Sequence, residues 1–167
     1  MDQLRTGIVL RPATTADRDA IRTLIFSILQ SYGLSPAPDS TDADLVDAAA
    51  YYAARGGTFH VLVDSTAQRL IGTIGLLPVD AETVELRKMY LDAGYRGRGL
   101  GRRLLEHALS EARRLGRRRV VLETASVLRE AIALYERYGF QRCSAEHLAA
   151  RCDTAMELWL TSKEDRT

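Results

Sequence analysis

Apolar residues follow two different periods along the chain, and the longer period predicts four helices. Between Ile21 and Tyr32 apolar side chains recur every three or four positions, which is the spacing of one helical face, and Gly33 supplies a stop signal. The same kinds of signal predict three further helices: 41–55, 100–115 and 128–138. The first of these three begins at Thr41-Asp42-Ala43-Asp44, which resembles a capping box with Asp in place of Glu or Gln.

Shorter apolar and β-branched runs, separated by turn residues, predict the strands of a sheet. The predicted strands are 8–10, 58–63, 70–77, 83–91, 120–122, 140–143 and 155–160. Along strand 83–91 the alternation is expected to direct Val84, Leu86, Lys88 and Tyr90 to one face and Glu85, Arg87, Met89 and Leu91 to the other, unless a bulge breaks the period. Strands and helices in this order predict an α+β domain with a mixed sheet.

Composition and charge narrow the class of protein. The chain has 167 residues, enough for one hydrophobic core, and its net charge of +1 gives no general attraction to nucleic acid or membranes. No apolar run has the length of a membrane span and the first seven residues lack a signal-peptide core, so we expect a cytoplasmic protein. Cys143 and Cys152 have neither CxxC spacing nor a neighbouring histidine pair, so neither a disulfide framework nor a bound metal is expected.

The segment Tyr95-Arg96-Gly97-Arg98-Gly99-Leu100-Gly101-Arg102 lies between a predicted strand and a predicted helix. Glycines let the backbone approach a ligand closely, and the first turn of the helix offers unpaired N–H groups, so the segment is a candidate pyrophosphate cradle to which its arginines add charge. A P-loop is excluded because no Gly-Lys-Ser/Thr follows, and a Rossmann site is disfavoured because the pattern is GxGxG without a leading βαβ unit. The pyrophosphate of coenzyme A and a simple tight turn with incidental arginines both remain open.

Two motifs give the chain a family resemblance. The cofactor motif Gln/Arg-x-x-Gly-x-Gly/Ala is matched by 96–101, and a helix ending in Ala-Ile-x-Leu-Tyr-x-x-x-Gly-Phe is matched by 131–140. With the opening Leu10-Arg11-Pro12-Ala13-Thr14 and the order of elements, the chain resembles the GNAT superfamily of N-acetyltransferases over nearly its whole length. The resemblance implies the GNAT (acyl-CoA N-acyltransferase) fold: α+β, with a mixed, mostly antiparallel sheet of about seven strands flanked by four helices. It also implies a single domain over 1–167 with a core at about 7–161.

The resemblance further implies an enzyme that moves the acetyl group of acetyl-CoA to a primary amine by direct attack in a ternary complex, without a metal. The strand before the glycine loop is expected to diverge from its neighbour, and acetyl-CoA to lie in the gap. The implied cofactor-binding residues are Met89, Tyr90, Leu91, Arg96, Gly97, Arg98, Gly99, Leu100, Gly101, Arg102 and Tyr135. Backbone groups of the first three would hold the pantetheine arm and polarise the thioester carbonyl.

Two side chains are implied in catalysis. Tyr135 matches the tyrosine near the cofactor sulfur, a general acid for the departing thiolate, and Glu85 stands where several family members carry a glutamate base. The chemistry needs a base because an alkylammonium cannot attack a thioester before it loses a proton. Each residue also has a structural interpretation: Glu85 as a surface residue paired with Arg87 or Lys88, and Tyr135 as a packing residue of its helix.

Two other features leave alternatives open. The basic cluster at the end of the third helix consists of Arg113, Arg114, Arg117, Arg118 and Arg119. It is a candidate for the 3′-phosphate of coenzyme A or for nucleic acid, although a solvated helix end is favoured. Leu128 stands where many relatives carry an asparagine, so a polar contact to the cofactor is in doubt, with Ser126 and Thr124 as candidate replacements.

In this fold the first two helices and the last two strands build the acceptor pocket. The candidate acceptor-binding residues are Phe26, Gln30, Tyr32, Tyr51, Tyr52, Glu146 and Asp153. The aromatic residues suit a wall or a cation–π contact, and the carboxylates would attract an ammonium group. We expect a small-molecule amine or an amino acid as acceptor, with a protein amine, or a non-catalytic acetyl-CoA-binding sensor or regulatory module, as alternatives. No nucleic-acid or membrane partner is expected, and a homodimer is open because dimers are common in the family.

Overall fold

An eight-stranded sheet organises the part of the chain that the computed structural model describes, residues 2–4 and 7–161. The strands are β1 (Asp2–Leu4), β2 (Ile8–Pro12), β3 (Thr58–Asp64), β4 (Arg69–Pro78), β5 (Thr83–Leu91), β6 (Arg119–Thr124), β7 (Gln141–Cys143) and β8 (Thr154–Trp159). The helices are α1 (Arg18–Ser31), α2 (Ala48–Ala54), α3 (Leu100–Arg114) and α4 (Arg129–Arg137). The spatial order of strands is β1-β2-β3-β4-β5-β6-β8-β7, and β5–β6 is the parallel pair among antiparallel neighbours.

The predicted fold class is confirmed. The sheet of about seven predicted strands corresponds to β2–β8, and β1 adds an eighth strand by pairing with β2. The two sheet faces carry separate cores. The larger core includes Leu104 of α3 and Ile132 of α4, and the smaller one packs Leu29 of α1 and Tyr52 of α2 against Phe59.

The start of the second helix differs from the prediction. The capping box predicted at 41–44 is wrong, because Ala43–Val46 forms a 3₁₀ turn and α2 begins only after Asp47. The carboxylate of Asp47 accepts a hydrogen bond from Ala50 N–H at 3.0 Å and caps the helix. The two aspartates within 41–44 are instead 1% and 2% exposed, and their carboxylates bind the ammonium group of Lys88.

Strand β5 carries a bulge at Lys88 and Met89, where its register against β4 shifts. Lys88 has φ 54°, in the left-handed region that residues with side chains rarely adopt. Arg87 and Lys88 both form ion pairs with Asp44, whereas Leu86 and Met89 pack in the larger core. The strict alternation expected along this strand is therefore wrong beyond Arg87, and the bulge that would break it is present.

The parallel strands β5 and β6 separate after three residue pairs. Thr83–Glu85 pair with Arg119–Val121, although β5 continues to Leu91 and β6 to Thr124. Beyond Glu85, the edge of β5 that faces β6 consequently has no strand partner among the described residues. A cleft opens at the carboxyl ends of the two strands, which is where open sheets with parallel strands bind ligands.

Candidate active site

Two cavities meet in the cleft between β5 and β6. The larger has a volume of about 440 Å³ and the smaller about 100 Å³. Both are lined by the same four residues at their junction: Met89, Tyr90, Leu128 and Ala131. Ligands in the two cavities would therefore contact these same four residues, which form a shared wall.

The larger cavity contains most of the glycine loop. Arg96, Gly97, Gly99, Gly101 and Arg102 line it, together with Met89–Leu91 of β5. Gly97 and Gly99 have φ of 75° and 77°, which only glycine adopts without strain, and Gly99 directly precedes α3. The loop thus brings the unpaired N–H groups of a helix start to the cavity, an arrangement that suits a phosphate group.

Two residues of the glycine loop that were predicted to bind the cofactor lie outside this cavity. Leu100 is buried in the larger core, so its side chain holds α3 against the sheet. The guanidinium of Arg98 lies 5.1 Å from the ring centroid of Tyr95 and donates a hydrogen bond to Gly94 O at 3.4 Å. Their side chains are therefore not brought to the cavity with the rest of the loop.

The smaller cavity contains two glutamates on neighbouring strands, Glu85 of β5 and Glu123 of β6. Burial raises the pKa of Glu85; Arg87, whose Nε lies 3.4 Å from Oε1, opposes this shift, and Glu123 adds to it. Glu123 was missed by the sequence interpretation. Side chains two residues apart on a strand point to the same face of the sheet. Glu123 follows Val121 by two residues, and Val121 pairs with Glu85, so this spacing was the signal that could have identified Glu123.

Tyr135 of α4 reaches the smaller cavity beside the shared wall. Its side chain is buried, and the hydroxyl donates to Met89 Sδ at 3.7 Å. Burial, with a smaller effect of Tyr90, raises the pKa of Tyr135 above its ordinary value. The hydroxyl therefore stays protonated at neutral pH.

A buried ion cluster borders the smaller cavity, whose lining includes Lys88 and Arg151. Asp42 Oδ1 accepts from Lys88 Nζ at 2.9 Å, and both oxygens of Asp42 bind the guanidinium of Arg151 at 2.6 and 2.7 Å. Burial alone would raise the pKa of Asp42, but hydrogen bonds from these two cations and from Ala37 N–H outweigh it and hold the pKa well below the ordinary value. The Asp42–Arg151 bridge joins the loop before α2 to the loop before β8, and no local pattern relates two residues so far apart in sequence.

Cys152, next to Arg151, also lines the smaller cavity. Burial raises the pKa of its thiol, and Glu123 raises it further. A thiol must ionise to act as a nucleophile, so the surroundings of Cys152 work against that role.

Two of the predicted acceptor residues, Tyr32 and Tyr52, lie outside the smaller cavity. Tyr32 lines the larger cavity, where the guanidinium of Arg96 is 5.4 Å from its ring centroid. Tyr52 is 0% exposed, and its hydroxyl donates to Asp44 Oδ2 at 2.6 Å. Tyr52 is therefore a core residue, because the late start of α2 turns it toward the sheet.

The other predicted acceptor residues line neither cavity: Phe26, Gln30, Tyr51, Glu146 and Asp153. The ring of Tyr51 is covered by the guanidinium of Arg55, 3.6 Å from its centroid. The carboxylate of Asp153 accepts hydrogen bonds from the N–H and hydroxyl of Ser126, at 2.8 and 2.6 Å, and so fixes the turn before α4. Ser126 is thereby engaged away from the cavities, whereas Thr124 lines the smaller one.

Within residues 7–161, no helix has the length and apolar character needed to cross a membrane. In the same part of the chain, no cluster of three or more His, Cys, Asp or Glu side chains is placed to hold a metal ion.

Comparison with known proteins agrees with this geometry. The acetyltransferase (GNAT) family model matches residues 23–140. The N-acetyltransferase YjgM of Escherichia coli (strain K12) is 35% identical over 138 residues, which are 80% of this chain and 81% of YjgM.

Two solved structures share the fold. A GNAT-family acetyltransferase from Staphylococcus aureus Mu50 has a TM-score of 0.85 and 22% identity, covering 92% of this chain and 99% of its own. The phosphinothricin acetyltransferase of Sinorhizobium meliloti, in complex with acetyl-CoA, has a TM-score of 0.72 and 20% identity, covering 93% of this chain and 89% of its own. The predicted resemblance is confirmed: the chain belongs to the acetyltransferase (GNAT) family and is an acetyl-CoA-dependent acyltransferase.

Proposed function

We propose that this enzyme acetylates a primary amine of a small molecule or amino acid, by direct attack within a ternary complex. The observation that carries the proposal is the junction of the two cavities at Met89, Tyr90, Leu128 and Ala131. The larger cavity suits the cosubstrate and the smaller one suits the acceptor. Both reactants can then be present at once, which direct transfer requires.

The residues of the larger cavity fit acetyl-CoA. The α3 start with Gly97 and Gly99 suits the pyrophosphate, Arg96 and Arg102 add positive charge, and Met89–Leu91 suit the pantetheine arm. Bound acetyl-CoA supplies an activated acetyl group. The unpaired edge of β5 offers backbone N–H groups that can stabilise negative charge on the thioester oxygen.

Glu85 and Glu123 are the two candidate bases for the acceptor ammonium. The raised pKa of Glu85 makes its carboxylate a better proton acceptor near neutral pH than an ordinary glutamate. Glu123 faces the same small cavity from β6 and accepts a long hydrogen bond from Ala149 N–H at 3.5 Å. Tyr135, whose hydroxyl is held protonated by burial, is the candidate proton donor to the leaving thiolate.

The size of the smaller cavity supports a small acceptor. Its volume of about 100 Å³ accommodates a short amine, and Arg151 in its lining is held by Asp42 of another loop. A protein substrate would need an open groove instead. The raised pKa of the Cys152 thiol supports direct transfer over an acetyl-cysteine intermediate.

The test is coenzyme A release with acetyl-CoA and a panel of amines, amino acids and peptides. We expect turnover with small amines, no release without acceptor, full activity in Cys152→Ser, and strong loss in Glu85→Gln or Glu123→Gln. Turnover with peptides alone would favour a protein-amine acetyltransferase, and acetyl-CoA binding without any turnover would favour the sensor. The cytoplasmic location, the single domain over 1–167, the absence of a metal and the homodimer stay predictions.

A further inference from the structure

The larger cavity has a basic lining. Three arginines line it, Arg96, Arg102 and Arg137, and among the described residues that line it Glu130 is the one with a carboxylate. The chain as a whole has a net charge of only +1, so this concentration of charge is local. Such a lining suits a ligand that carries several negative charges.

Coenzyme A has two separate anionic centres, the pyrophosphate and the 3′-phosphate monoester on the ribose. The pyrophosphate suits the glycine loop, where backbone N–H groups and Arg96 stand beside Gly97 and Gly99. The 3′-phosphate needs a second group of donors, further from the reacting end of the molecule.

Helix α4 shows where that second group lies. Leu128, Ala131, Leu134 and Arg137 all line the larger cavity, at a spacing of three residues, so they form one stripe that runs obliquely along the helix. Leu128 and Ala131 also belong to the wall shared with the smaller cavity, which marks the reacting end. Arg137 lies about 9 Å further along the helix from Ala131, at the outer end of the stripe.

Arg102 faces the same outer region from α3. The two helices approach each other at Gly101, where an added Cβ atom would lie 3.7 Å from Leu134 Cδ2. Arg102 follows Gly101 directly, and Arg137 follows Leu134 by one helical turn. The pair therefore flanks the channel between the two helices.

Both guanidinium groups are available to a ligand. Arg137 is exposed and forms no ion pair within the part of the chain that the structure describes. The side chain of Arg102 is 68% exposed, and its Nε lies 3.5 Å from Oε1 of Glu106, whose side chain is 52% exposed. An ion pair between two exposed side chains contributes little free energy. Glu106 also accepts a hydrogen bond from the hydroxyl of Tyr138, so its carboxylate has a second partner besides Arg102.

The basic cluster at the end of α3 is not a competitor for this role. Arg114 pairs with Glu111 at 2.8 Å, Arg118 with Glu82 at 3.6 Å, and Arg119 with Glu157. Arg117 donates to Asp80 O at 2.6 Å, and Arg113 lines a different depression beside Trp159. None of the five lines the larger cavity.

We propose that Arg137, assisted by Arg102, forms a subsite for the 3′-phosphate of coenzyme A. This inference rests on the assignment of the larger cavity to acetyl-CoA and adds Arg137 to its binding residues. The subsite allows the enzyme to distinguish coenzyme A from 3′-dephospho-coenzyme A. It takes no part in proton transfer, because it lies at the end of the cavity opposite the shared wall.

The experiment is calorimetric titration of the full chain with coenzyme A and with 3′-dephospho-coenzyme A. We expect the wild type to bind coenzyme A about tenfold more tightly, the effect of one or two charge-assisted contacts. Arg137→Ala should bind the dephospho ligand as the wild type does and lose most of the preference, and Arg102→Ala should lose a smaller part. Arg129→Ala is the matched control, because Arg129 is exposed on the same helix and lines neither cavity.

Different outcomes test the 3′-phosphate subsite and the assignment of the larger cavity to acetyl-CoA separately. A preference unchanged in Arg137→Ala, or an equal loss of affinity for both ligands, would overturn the subsite while leaving coenzyme A in the larger cavity. Failure of the wild type to bind either ligand would overturn the cavity assignment and the subsite with it. A preference that shrinks between about 0.05 M and about 0.3 M salt in the wild type, but not in Arg137→Ala, would support the ionic contact.

Discussion

Replacement of Asp42 by asparagine tests the ion cluster that borders the smaller cavity. The change keeps the size of the side chain but removes the charge that binds Lys88 and Arg151. One of the two oxygens also becomes an amide N–H₂ group, which cannot accept a hydrogen bond from either cation. The perturbation is thus electrostatic, with little change in packing volume.

The expected loss is large because Lys88 cannot turn to solvent. Its side chain is 4% exposed, and without Asp42 its ammonium retains Thr41 O at 2.9 Å and Asp44 Oδ1 at 3.3 Å. Removal of one partner of a buried ion pair costs about 3–5 kcal/mol. In a chain of this size each kcal/mol lowers the melting temperature by about 2–4 °C, so the expected fall in Tm is about 6–20 °C.

The pH dependence gives a second signature. The pKa of Asp42 in the folded protein lies below that of the unfolded chain, so the carboxylate stabilises the fold at pH values above about 3.9 and loses this effect as the pH falls toward the folded pKa. The wild type should therefore lose stability on acidification more steeply than Asp42→Asn. The Tm difference between the two proteins should narrow from neutral pH to about pH 3.

Thermal unfolding followed by circular dichroism at several pH values measures both effects. Asp39→Asn is the matched control, because Asp39 is exposed in the same loop and its replacement should change Tm by no more than about 2 °C. A Tm for Asp42→Asn within that same range, or a difference that stays constant on acidification, would refute the reasoning.

Three further predictions concern the active site. Glu85→Gln should lower kcat/KM by about 10²–10⁴-fold and remove an acid-side inflection of its pH profile, with acetyl-CoA affinity unchanged by titration. Tyr135→Phe should lower kcat by a smaller factor, about 10-fold, because a thiolate leaves readily; equal kcat would exclude the acid role. Gly99→Ala, at φ 77°, should weaken acetyl-CoA binding, whereas Gly116→Ala, equally strained at φ 72° but outside the cavity, should lower Tm and leave binding unchanged.

Features that depend on neighbouring residues in the sequence were predictable. The glycines Gly33, Gly116 and Gly139 follow α1, α3 and α4 within two residues, as expected from helix stop signals. The glycine loop was recognisable for the same reason, since a helix start and its preceding turn are both local. These elements are also the ones that suit the cosubstrate.

The acceptor side was not predictable in the same way. Tyr51 and Tyr52 are adjacent, and only the late start of α2 decides that Tyr52 is the buried one. Asp42 and Arg151 are 109 residues apart, so no periodicity relates them. Acidic and aromatic side chains suggest an amine site by their chemistry alone, but tertiary packing decides which of them reach it.

The bulge of β5 contacts both the ion cluster beside the smaller cavity and the wall that the two cavities share. Its strained residue, Lys88, is held at both ends: Thr73 Oγ1 donates to Lys88 O at 2.7 Å, and the ammonium is bound by Asp42 at 2.9 Å. The next residue, Met89, belongs to the wall that the two cavities share. Because an unfavourable backbone conformation persists only where surrounding contacts hold it, the ion cluster beside the smaller cavity also fixes the part of β5 that we propose to bind the thioester. Loss of Asp42 should therefore impair catalysis even at temperatures where the variant remains folded.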